Sequence, residues 1–115
     1  MSNQRIEAEL PLTPLSYHIL LALGSGEMHG YGVLKEIERQ TTGAMKPATG
    51  ALYLAAKRLV DTGLIEESAE RPDPEMDDRR RRYYRLTDYG WEVAAAETAR
   101  LANLVDVARA KGMGG

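Results

Sequence analysis

The sequence predicts a mainly α domain with one small β-hairpin and a long C-terminal helix, and three observations carry that expectation. Four stretches of this 115-residue chain place apolar residues three and four apart between recognisable helix caps. A tract from Leu64 to Leu86 changes to period two on either side of a charged, proline-containing interior. After Thr87 an apolar stripe runs on for longer than a small head needs.

Taken in order, residues 1–10 are polar and read as a flexible N-terminal arm. Thr13 before Pro14 is an N-cap with proline in the first turn, and Leu15, Ile19, Ala22 and Leu23 give the first helix its apolar face. Gly24, Ser25 and Gly26 break it. A second helix begins near Tyr31, carries Val33, Leu34 and Ile37, and ends by Thr42 and Gly43.

The stretch from Lys46 to Ile65, KPATGALYLAAKRLVDTGLI, organises the rest. Pro47 suits a first helical turn and Gly63 the position just past a helix end. Leu52, Ala55, Ala56 and Leu59 fall on one face and require a core. The other side carries Thr49, Gly50, Tyr53, Lys57 and Arg58, hydroxyls and cations of the kind a DNA-recognition helix presents. A plain amphipathic helix with a solvated face is the alternative.

Beyond Gly63, Leu64 to Glu67 and Arg81 to Leu86 are strand-like, with Tyr84 and Leu86 on one face and Arg81, Tyr83 and Arg85 on the other. Between them the chain is acidic and then basic: Asp73, Glu75, Asp77 and Asp78 precede Arg79, Arg80, Arg81 and Arg82. A charged hairpin directly after a three-helix unit is a wing. Its arginines suit a narrow minor groove or the hairpin's own carboxylates. Thr87 then caps a last helix from Asp88 to about Ala110, roughly 34 Å at 1.5 Å per residue. Ala94, Leu101, Leu104, Val105 and Ala108 form a near-heptad seam on it, widened by Ala95 and Ala96, which predicts a homodimer; folding back on the first helix is the alternative.

Composition sets the bounds. Apolar residues make up 43% and charged residues 28%, as expected for a single globular domain. With no cysteine the chain forms no disulfide or thiolate metal site, and His18 and His29 do not make a metal centre, so no metal or cofactor is implied. No apolar run reaches the roughly 20 residues of a membrane helix and no signal peptide is evident, so a cytoplasmic protein with no membrane partner is expected. A net charge of −2 gives no compositional support to nucleic-acid binding, but a local basic patch acts within a screening length of about 10 Å. No triad, phosphate loop or buried acid pair is evident, so an enzyme is not expected.

The words LTPLSYHILLAL, MHGYGVLKEI, TGALYLAAKRLVDTGLI and RRRRYYRLTDYG, in this order, resemble the PadR family of winged-helix transcriptional regulators over residues 11 to about 110. The single C-terminal helix is similar to the family's smaller subgroup. The resemblance implies a winged helix-turn-helix domain at residues 11–87 and a dimerisation helix and tail at 88–115. It implies a dimeric repressor whose third helix enters the major groove of double-stranded DNA and whose wing reaches the adjoining backbone or minor groove. Leu54 and Trp91 depart from the family's pattern.

The expected DNA-binding residues are therefore Lys46, Thr49, Gly50, Tyr53, Lys57, Arg58, Arg79, Arg80 and Arg82. For Tyr53 the preferred role is phosphate contact through its hydroxyl, the alternative a half-buried aromatic between helices. The expected dimer residues are Leu101, Leu104, Val105 and Ala108, with a palindromic operator to match the two-fold axis. Trp91 and Tyr89 offer aromatic surface for a small flat effector, although such residues also serve as core. The rival is a winged-helix module that docks a protein partner instead of DNA, supported by the sequence pI of about 5.7.

Overall fold

Residues 3–68 and 82–114 are described in the computed structural model. Their elements run α1 (Asn3–Ala8), α2 (Pro14–Leu23), β1 (Met28–His29), α3 (Gly30–Gln40), α4 (Thr49–Asp61), β2 (Ile65–Ser68), β3 (Tyr83–Leu86) and α5 (Asp88–Ala110). Helices α2, α3 and α4 pack on one another, and an antiparallel sheet of order β1-β3-β2 closes the domain. This is a winged helix-turn-helix head with a long C-terminal helix.

Local chemistry sets the helix ends. The Thr13 hydroxyl accepts from the Ser16 amide at 3.1 Å to open α2, and Pro14 follows as the first helical residue. At the end of α4, Gly63 adopts φ +82°, the Gly63 amide donates to Val60 O and the Leu64 amide to Leu59 O, which is the paired bonding of a Schellman stop. The Thr87 hydroxyl has two tasks. It accepts from the Gly90 amide at 2.9 Å, capping α5, and donates to Gly63 O at 2.6 Å, so the start of α5 is tied to the stop of α4.

The core lies where the three helices meet the sheet. Ile19, Leu20 and Leu23 of α2, Val33 and Ile37 of α3, and Leu52, Ala55, Ala56 and Leu59 of α4 are buried with Ile65, Tyr84 and Val93. In β3 the alternation holds: Tyr84 is buried while Arg85 is exposed. Ile65 pairs with Leu86 and Ser68 with Tyr83 across the hairpin.

Three expectations change. The N-terminal segment expected as a loose arm holds α1, which docks on α5: the Tyr89 hydroxyl donates to Arg5 O at 3.1 Å and the Arg5 guanidinium lies 4.1 Å from the Tyr89 ring centre. A polar stretch can order in this way when a neighbouring helix supplies the apolar partners, here for Ile6 and Leu10. Pro47 does not open α4; Ala48, in extended backbone, is the cap residue, and Pro47 lies just before it, outside the helix. Two residues, Met28 and His29, form an edge strand against Tyr84 and Tyr83, too short for period two to reveal.

Helix α5 is divided. Tyr89, Gly90, Val93 and Glu97 are buried against the head, whereas none of its residues from Leu101 onward is buried. Glu97, only 1% exposed, accepts from the Leu12 amide at 3.0 Å and from Arg100 Nη2 at 3.0 Å. The Arg100 hydrogen bond holds its carboxyl below the usual range, the Leu12 amide adds to this, and burial opposes both. Among the described residues no helix is long and apolar enough to cross a membrane.

Candidate nucleic-acid interface

Thr49 and Gly50 form the first turn of α4 and both are exposed, as is Lys46 in the segment leading to it. Ala48 contributes no side-chain cap, so the first turn presents amides, one hydroxyl and one glycine to the outside. Further along, the helical repeat sends the two cations apart. Lys57 lines a groove of about 330 Å³ between α4 and the hairpin, together with Tyr53, Val60, Asp61, Glu67, Arg82 and Tyr84. Arg58 lines another, of about 350 Å³, against the start of α2, where Thr13, Leu15 and Ser16 face Ala51 and Leu54. Leu54 is 52% exposed on that rim.

Tyr53 is half-buried and packs against the core. Its ring covers Gly30, where an added Cβ would stand 2.3 Å from the Tyr53 hydroxyl oxygen and 2.6 Å from two ring carbons. The ring therefore does what the packing alternative asked, and its hydroxyl stands at the start of α3.

Among the described residues, both cations of the α4–hairpin groove, Lys57 and Arg82, are paired. Lys57 Nζ lies 3.0 Å from Asp61 Oδ2, and Arg82 Nη1 lies 3.8 Å from Glu67 Oε1. Outside the groove, Arg85 Nε is 2.7 Å from Glu66 Oε1. Tyr84 also lines the groove, and burial pushes its hydroxyl up to about 12, with Glu67 and Tyr53 adding to the shift against Arg82. It remains a neutral hydroxyl in ordinary buffers.

His29 fixes the neighbouring corner. Its Nδ1 accepts from the Gly32 amide at 2.9 Å, capping α3, and its ring meets Tyr83 edge-on at 5.5 Å. The helix-turn-helix is thereby joined to the base of the wing.

The structure thus brings Tyr53, Lys57 and Arg82 to one groove, puts Thr49, Gly50 and Lys46 at one end of α4, and sends Arg58 to the opposite side. Arg79 and Arg80 lie outside the described residues, with the acids Asp73 to Asp78. Asp61 and Glu67 were missed as members of the site. The Lys57 and Asp61 spacing of four was a legible signal, while the pairing of Glu67 with Arg82 depends on the hairpin. Of the two residues expected to offer aromatic surface, Tyr89 is buried at 6% exposure beneath Arg5, so Trp91, 54% exposed, stands alone.

Comparison with known proteins agrees with this architecture. A transcriptional regulator from Clostridium thermocellum superposes with a TM-score of 0.68 at 24% identity, covering 95% of each chain. A PadR family transcription regulator from Clostridium difficile R20291 gives 0.69 at 22%, over 84% of this chain and 96% of that one. PadR of Bacillus subtilis, solved in complex with operator DNA, gives 0.63 at 24%, over 73% of this chain and 46% of that one. A search of curated proteins found no match. The family model described as the transcriptional regulator PadR-like family matches residues 19–96, more than half of the chain, and the protein belongs to that family.

Proposed function

We propose that the protein is a sequence-specific DNA-binding repressor that acts as a homodimer on a palindromic operator. Helix α4 enters a major groove, and the β2–β3 hairpin reaches the adjoining backbone. The observation that carries this reading is the exposed first turn of α4, Thr49 and Gly50, beside a groove bordered by Lys57 and Arg82. The leading residues of a recognition helix are those that meet base edges, and cations farther along meet phosphates. The likeness to a regulator solved on operator DNA supports it.

The dimer reading rests on the far half of α5. Leu104, Val105 and Val107 are 49%, 45% and 44% exposed, and Leu101 and Ala108 are half-buried beside them, an apolar stripe that a second copy would cover. Two heads joined in this way would address half-sites about one helical turn, roughly 34 Å, apart. Trp91, the chain's one tryptophan, is where a flat apolar effector would seat; quenching of its emission by such a compound tests that directly.

Anisotropy titration of duplexes from upstream of the protein's own gene, against a random duplex and over a salt series, tests the function. Tight, salt-dependent binding to one duplex is expected. Thr49→Ala should cost roughly 1 to 3 kcal/mol at one operator position and relax preference there. Binding that ignores both sequence and salt would favour a protein-docking module, a reading to which the pairing of Lys57 and Arg82 lends weight.

A further inference from the structure

Among the described residues, the groove between α4 and the hairpin holds two cations and two carboxylates, each cation opposite its own acid. Lys57 and Asp61 meet at 3.0 Å with side chains 71% and 60% exposed, and Arg82 and Glu67 at 3.8 Å with 55% and 43% exposed. Ion pairs this exposed add little to stability. Their place has a consequence for binding: all four side chains line the same groove, the one a duplex backbone would follow between recognition helix and wing.

We propose that Asp61 and Glu67 are internal competitors of DNA phosphate, holding Lys57 and Arg82 so that the sequence-independent part of DNA affinity stays low. The inference rests on the DNA-binding reading and deepens it. A free ammonium or guanidinium that meets a phosphate releases a counterion from the duplex. One that must first leave a carboxylate strands that carboxylate, which then collects a cation from solution and cancels part of the release. Affinity for any duplex falls and so does its salt dependence. A weaker grip on random sequence leaves more protein free to reach its operator among many competing sites.

The signature separates this role from a merely structural one. Asp61→Asn and Glu67→Gln keep side-chain size and remove one charge each, so helix content and melting temperature should stay near those of the parent. Each should raise affinity for a random duplex roughly two- to threefold near 0.1 M salt, the size of one unit charge acting across several ångströms of screened water. Each should also steepen the slope of log K against log salt, by up to about 0.9. Glu7→Gln, an exposed carboxylate on α1, is the charge-matched control and should change neither quantity. Adding Lys57→Gln to Asp61→Asn should abolish the gain.

Anisotropy titrations of the full chain and these variants on one random duplex, at four salt concentrations, give the outcome. Tighter binding with a steeper slope, lost on removing Lys57, supports the proposal. Wild-type binding with acid variants that match Glu7→Gln overturns it and leaves the DNA-binding reading standing. Absence of duplex binding by every variant at every salt concentration overturns both.

Discussion

A Cβ placed on Gly30 would stand 2.3 Å from the hydroxyl oxygen of Tyr53, so the glycine that opens α3 and the tyrosine on α4 occupy one another's space. The stretches MHGYGVLKEI and TGALYLAAKRLVDTGLI, two separate words in the sequence, are therefore joined by one contact. It sets how closely α3 approaches α4.

Gly30→Ala should destabilise the protein by about 1 to 3 kcal/mol, the usual cost of overpacking. Much of that loss should return in the double variant with Tyr53→Ala, measured as the coupling in urea unfolding. Additive losses would mean that the two residues do not share the space. Tyr53→Phe keeps both ring carbons near Gly30, so it isolates the hydroxyl; equal weakening on operator and random duplex is expected if that hydroxyl holds a phosphate.

At Gly90 the nearest obstruction is backbone. An added Cβ would lie 1.9 Å from Leu64 O, which also accepts from the Thr87 amide at 3.2 Å. Since neither backbone segment can yield without breaking the α4 to α5 tie, Gly90→Ala should cost about 3 kcal/mol or more. Calorimetry showing a near-native melting temperature would contradict that.

Glu97 predicts an acid limb. Its hydrogen bonds from Arg100 and Leu12 hold the folded carboxyl below its ordinary value of 4.5, so its contribution is complete above that pH and is lost as pH falls towards the folded value. Glu97→Gln should cost roughly 1.5 to 3 kcal/mol at neutral pH, as for a hydrogen bond to a charged group, and should flatten the stability curve below pH 4.5. An unchanged acid limb in urea titrations would show that other carboxylates produce it.

The dimer prediction uses residues already outside the protomer's core. Leu104→Lys with Val105→Lys should give a folded monomer by light scattering and circular dichroism, with operator binding lost. Truncation after Glu97 is a poorer probe, because it also removes Arg100, the partner of Glu97. A dimer that survives both lysines would place the interface elsewhere.

The sequence by itself determined α2, α3 and α5 and the stop of α4, because those depend on residues within one turn of each other, while α1 and the start of α4 escaped it. Thr13 with Pro14, Thr87, Gly63 and the period of Leu52, Ala55, Ala56 and Leu59 all act locally, and α5 begins and ends where they and its apolar stripe implied. Tertiary structure decided what joins distant parts. Leu12 and Glu97, 85 positions apart, are bonded because α2 lies along α5, and nothing near Glu97 in the chain marks it for burial. Met28 and His29 become a strand only because β3 offers them an open edge. Arg82 comes to Glu67 through the pairing of β2 with β3. Caps and periodicity are short-range and leave their mark in adjacent residues, whereas these contacts take their partners from the topology, and neither partner carries a local sign of the other.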